Sequence, residues 1–120
     1  RALSNRGWAE YRLGRVDAAR ETFALSRRFN ASYWPALLNL GILESEQGRR
    51  LEAIELFEAV IALRPAASAE AESEANFRLG EIFVSLGKRS RAVEYLTASV
   101  VKAPGGPWGK KSEQALKLLR

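Results

Sequence analysis

The chain has 120 residues, 47% hydrophobic and 9% aromatic, and carries a net charge of +5. That length and composition support one modest domain with a buried core. With no cysteine and no histidine, a disulfide framework, thiol catalysis and the commonest zinc ligand sets are excluded, and no apolar run nears the roughly 20 residues of a membrane span.

Three glycine pairs set the register: Gly7 and Gly14, Gly41 and Gly48, Gly80 and Gly87. Ala19 recurs as Ala53 and Ala92, and Phe23 as Phe57 and then Leu96. The step is 34 residues and then 39, a period that marks stacked helical units. Three repeats are expected, over 1–33, 34–67 and 68–104, with a capping helix over 105–120, all in a single domain.

The first repeat predicts helices over about 2–13 and 17–29. Gly14 is placed to end the first by taking the left-handed conformation, as are Gly48 and Gly87 in their repeats. Asp17 is a candidate N-cap for the second helix, and Ser90 is its counterpart in the third repeat. Asn30 and Ala31 end the unit without a proline. The sequon Asn30-Ala31-Ser32 reads as chance.

The second repeat predicts helices over about 35–47 and 51–63. Pro35 sits in a first turn, where its missing N–H costs nothing. Ala53, Ile54, Phe57, Val60 and Ile61 trace one helical face. Pro65 closes this repeat and Pro104 the next.

The third repeat predicts helices over about 71–86 and 90–102. Five extra residues before it, in the stretch 65–72, either lengthen its first helix or form a longer loop. After the break at Pro104-Gly105-Gly106-Pro107, Ala115, Leu116 and Leu119 predict a short capping helix, or the first helix of a further repeat. Glycine inside a helix costs about 1 kcal/mol relative to alanine. Gly7, Gly41 and Gly80 therefore predict close backbone contact, with Ala19, Ala53 and Ala92 as the expected partners.

Leu40-Gly41, Gly48, Ala53, Phe57 and Pro65 fall at the spacings of the tetratricopeptide repeat, and the chain resembles that family over nearly its whole length. Departures are Arg6 before the first glycine, and Glu10 and Glu44 where the family often has tyrosine; Phe83 keeps an aromatic there. The resemblance implies an all-α fold, an α-solenoid of antiparallel helix pairs wound into a right-handed superhelix. It also implies a concave groove lined by the first helix of each repeat, which receives a peptide segment or helix of a partner protein.

Counted from the early glycines, the groove positions fall on Asn5, Trp8, Tyr11, Leu38, Asn39, Ile42, Phe77 and Arg78. Asn5 and Asn39 resemble the asparagine ladder of O-linked N-acetylglucosamine transferases, where an amide can donate and accept at once. Arg78 could grip a carboxylate. Trp8, Leu38, Ile42 and Phe77 would supply apolar contacts. The carboxylate clamp of chaperone-tail-binding members matches at Asn39 and Arg78 but fails at Ser4, Trp8 and Glu74, so that ligand is not expected. Trp34 and Trp108 read as packing residues, and Glu70 and Glu74 as solubilising surface.

No catalytic, cofactor or metal-binding set is visible, and nothing in this segment points to an enzyme. Two other readings stand beside the protein-binding one. The charge could serve nucleic acid or an anionic membrane, although residues 1–33 hold no continuous basic run. The segment could also self-associate, and its third repeat and ending weakly resemble domains of bacterial envelope assembly proteins. Fourteen arginines against five lysines hint at a GC-rich bacterial source. The compartment stays open between cytoplasm and periplasm, and the missing initiator methionine reads as a piece of a longer protein.

Overall fold

A computed structural model describes residues 2–30 and 32–119. Arg1, Arg120 and Ala31, the expected end of the first repeat, lie outside them. Seven α-helices form among the described residues: α1 (Ala2–Arg12), α2 (Val16–Phe29), α3 (Trp34–Glu46), α4 (Arg50–Ala62), α5 (Ala69–Ser85), α6 (Arg89–Lys102) and α7 (Pro107–Leu118). None is long and apolar enough to cross a membrane.

α1, α3 and α5 all stop by the same device. Gly14, Gly48 and Gly87 take φ values of +80°, +77° and +73°. In each case the glycine N–H bonds back three residues, to Tyr11, Ser45 and Val84. The next N–H bonds back five, to Glu10, Glu44 and Phe83. This is the Schellman arrangement, which satisfies carbonyls that a helix end leaves orphaned. Side-chain caps are different. α2 begins at Val16 and α6 at Arg89, each without a side-chain cap bond. Asp17 and Ser90 therefore lie inside the first turn and cap nothing. Asp17 instead accepts from Arg20 at 2.9 Å.

The five extra residues do both things open to them. Leu63–Ser68 is a loop, and α5 runs to 17 residues, with Ser68 Oγ capping Ala71 N at 3.1 Å.

Two compact units divide the chain, Arg1–Leu56 and Phe57–Arg120. In the first, α2 packs on α1 and on α3, and α1 meets α3 along a narrower seam. Ala19, Phe23, Leu37, Leu43 and Ala53 are fully or almost fully buried. Glu44 is buried as well, and Arg20 holds it in a fork, with Nη2 2.9 Å and Nε 3.1 Å from Oε1. These bonds raise the Arg20 pKa above its ordinary value. Arg49 approaches the same carboxylate at 3.5 Å. Glu10, at the equivalent position of the first repeat, accepts from Thr22 Oγ1 at 2.5 Å.

In the second unit, α5 packs on α6, and α7 covers both. Ser73 and Ser99 are fully buried and each donates to the other's carbonyl, at 2.9 and 2.8 Å. Phe83 stacks on Tyr95 with ring centroids 5.4 Å apart. Tyr95 donates to Glu58 at 2.7 Å. α7 sits tightly against the end of α6, since a Cβ on Gly109 would collide with the Ala103 carbonyl.

Gly7 and Gly80 make room for large side chains, not for the expected alanines. A Cβ on Gly7 would lie 2.6 Å from Phe23 Cζ, and one on Gly80 would lie 2.6 Å from both Leu96 Cγ and Cδ2. Ala92 contributes only its carbonyl, at 3.5 Å. The alanines instead complete the buried core beside the notch.

Gly80→Ala should cost about 1–3 kcal/mol through overpacking against Leu96. In a Leu96→Ala background the same change should become neutral or stabilising, by up to about 1 kcal/mol from helix propensity. Urea denaturation of the four proteins in that cycle measures the coupling. Ser112 Oγ is buried without a hydrogen-bond partner. Ser112→Ala should therefore raise stability, by roughly 1 kcal/mol, because an unsatisfied hydroxyl is removed; a melting curve reads this directly.

Candidate functional site

Each unit presents its own first-helix face. In the first unit, Ser4, Trp8 and Tyr11 fall at i, i+4 and i+7 on α1, and Asn39, Ile42 and Glu46 at i, i+3 and i+7 on α3, so each set shares a face. The two rows are laced together. Trp8 Nε1 donates to Asn39 Oδ1 at 3.3 Å, and Asn39 Nδ2 donates to Ser4 Oγ at 3.2 Å. Tyr11 donates to Glu46 Oε2 at 3.0 Å. Trp8 meets Tyr11 edge to face at 5.7 Å and Phe23 at 5.0 Å. Trp8, Tyr11, Asn39 and Ile42 are half-buried and Asn5 is exposed.

Asn39 thus has a structural duty that its ladder position does not reveal. It fixes the Trp8 ring while keeping one amide hydrogen and a carbonyl lone pair in reserve. Asn5 and Asn39 share no hydrogen bond, but both belong to this unit's first helices. Leu38 is only 6% exposed and belongs to the core, which corrects its place among the apolar surface contacts.

In the second unit, Phe77 is likewise core, at 8% exposure. Arg78 is half-buried and already has a carboxylate: its Nε lies 2.8 Å from Glu74 Oε2. Glu74 is therefore the partner of Arg78, not solubilising surface. Glu70 also has a role, since its carboxylate crowds Gly106 at the N-terminus of α7, where negative charge is favourable. Trp108 packs against Phe77 at 5.5 Å, as expected of a packing residue. It also carries a cation on either account: Arg78 Cζ lies 5.0 Å and Lys111 Nζ 4.4 Å from its ring centroid. Lys111 and Glu46 escape sequence reasoning. An i, i+7 relation between Asn39 and Glu46 was the available signal for Glu46; Lys111 had none.

Part of the basic charge is paired within the fold. Arg6 pairs with Glu10, Arg20 with Asp17 and Glu44, Arg49 with Glu44 and Glu52, and Lys102 with Glu72.

The tetratricopeptide-repeat family profile matches residues 38–107, more than half of the chain. The chain belongs to the tetratricopeptide-repeat family, and its all-α helix-pair fold is that family's. A search of curated proteins returns no match. Among solved structures, MamA matches at 25% identity and a TM-score of 0.74, over 84% of this chain and 56% of that one. The chain therefore spans little more than half of MamA. The Yersinia enterocolitica type III secretion chaperone SycD, in complex with a peptide of the translocator YopD, matches at 16% identity and a TM-score of 0.81, over 98% of this chain and 86% of that one. The family and fold are those of a protein-interaction scaffold.

The hydrogen bond to Glu46 is the main cause that raises the Tyr11 pKa above 10.0. The neutral phenol is the favoured form in the fold, so this contact stabilises below pH 10 and is lost as pH rises through the raised value. In a Tyr33→Phe, Tyr95→Phe background, ultraviolet absorbance should place the Tyr11 transition above that of free tyrosine. Glu46→Ala should return it toward 10.0.

Proposed function

We infer that the protein holds an extended segment or helix of a partner protein on a first-helix face of its repeats. The supporting observation is the laced strip on α1 and α3. Its aromatic and amide groups are half-exposed yet held in place by bonds to one another. Groups fixed in advance lose little conformational freedom when a ligand arrives. Asn5 and the spare capacity of Asn39 suit a peptide backbone, which both donates and accepts. Trp8 and Ile42 offer apolar surface beside them. The fold is shared with a chaperone solved with a peptide, which supports the same class of ligand.

Peptides selected from a random library on the intact protein test this. Asn5→Ala with Ile42→Lys alters the first-helix face of the first unit, and Glu81→Lys that of the second. Arg27→Ala and Glu94→Ala alter second helices. At least one first-helix variant should weaken binding by about tenfold, or about 1.4 kcal/mol, with an unchanged helical spectrum. Loss confined to the second-helix variants would overturn the reading.

A further inference from the structure

The second unit carries a two-part seam between α5 and α7. Trp108, Lys111, Ala115 and Leu118 fall at i, i+3, i+7 and i+10 on α7, so they share one side of that helix. Glu74, Arg78 and Glu81 do the same on α5. At one end of the seam Arg78 and Lys111 both lie over the Trp108 ring. Arg78 is balanced by Glu74, whereas Lys111 has an aromatic ring and no carboxylate among the described residues. An ammonium group held against a ring keeps its charge and its remaining N–H donors.

At the other end an open cleft of about 230 Å³ is lined by Val84, Leu96, Ala115, Leu118 and Leu119, with Glu81 at its polar side. Leu118 is 86% exposed and Val84 44%, so apolar surface is offered to solvent there. The separation of the two ends follows from helix geometry. Lys111 lies four residues from Ala115 and seven from Leu118, or about 6–10 Å along α7 at 1.5 Å per residue. An extended peptide advances about 3.3 Å per residue, so that distance corresponds to two or three residues.

We propose that this seam receives an extended peptide that carries one carboxylate and one large aliphatic side chain a few residues apart. One carboxylate side chain sits at Lys111 beside Trp108, and a large aliphatic side chain two or three residues away fills the α5–α7 cleft. Glu81 disfavours a second acid next to the aliphatic residue and so sets the order of the two features along the seam. The proposal rests on the first-helix reading above and adds the chemistry of the ligand in this unit.

The test uses fluorescein-labelled synthetic peptides of glycine and serine, carrying one glutamate and one leucine separated by two residues. Two controls replace the glutamate with lysine or the leucine with serine. Fluorescence anisotropy with the intact protein should show the glutamate–leucine peptide binding about fivefold more tightly than either control, within the range of solvent-exposed ion pairs and a single apolar contact. Lys111→Glu should reverse the charge preference, so that the lysine–leucine peptide binds better. Leu118→Asp should abolish the leucine preference. Both sites are exposed, and helical spectra of the variants check the fold.

Equal binding of all three peptides, or a charge preference unchanged by Lys111→Glu, would overturn the proposal. If library-selected peptides bind through a first-helix face while the glutamate–leucine peptide does not, this proposal fails and the broader reading stands. If the selected peptides also ignore the first-helix faces, both fail.

Discussion

The fold depends on two notches where a helix lacks a side chain. At Gly7 the ring of Phe23 occupies the space of a missing Cβ, and at Gly80 Leu96 does so. A bulky group set directly against a neighbouring backbone is what brings α1 against α2 and α5 against α6. Any residue but glycine would push those pairs apart or force the buried side chain out of its rotamer. The local cost of an interior glycine is about 1 kcal/mol, and the packing of a fully buried phenylalanine or leucine exceeds it.

That constraint decides which surfaces remain available. Because the glycine sides of α1 and α5 are committed to α2 and α6, their opposite sides face outward with polar and aromatic residues. The left-handed stops at Gly14, Gly48 and Gly87 then turn the chain within a few residues. Charge follows the packing. Glu10 and Glu44 replace a frequent family tyrosine, and each finds an internal partner, Thr22 for one and Arg20 for the other. Arginines that look like a basic surface in the sequence thus serve partly to neutralise carboxylates. A buried pair of this kind need not add net stability, but losing either member leaves an uncompensated charge.

Helix positions were legible because glycine and apolar spacing repeat, and the bounds agree within one or two residues. Asp17 and Ser90 misled because a residue one step inside a helix resembles a cap in sequence; only the backbone shows that the helices start at Val16 and Arg89. The notch partner misled because spacing along a chain does not say which side chain crosses to the neighbour. Family register places Leu38 and Phe77 on the groove surface, yet both are buried, at the margin where a first-helix face turns into core. The company of Arg78 was half legible. Glu74 stands one turn away, whereas Trp108 and Lys111 arrive beside it through the α6–α7 turn at residues 103–106, against which Gly109 packs and which carries no periodic signal.

The central claim is that ligands meet the first helices of the repeats and leave the second helices untouched. Amide chemical-shift mapping by NMR, with one library-selected peptide titrated into isotope-labelled protein, tests it most directly. The account predicts that shifts cluster on α1 and α3 around Asn5, Trp8 and Ile42, or on α5 and α7 around Arg78, Lys111 and Leu118. Shifts concentrated on the exposed sides of α2, α4 and α6, with those residues unmoved, would contradict it.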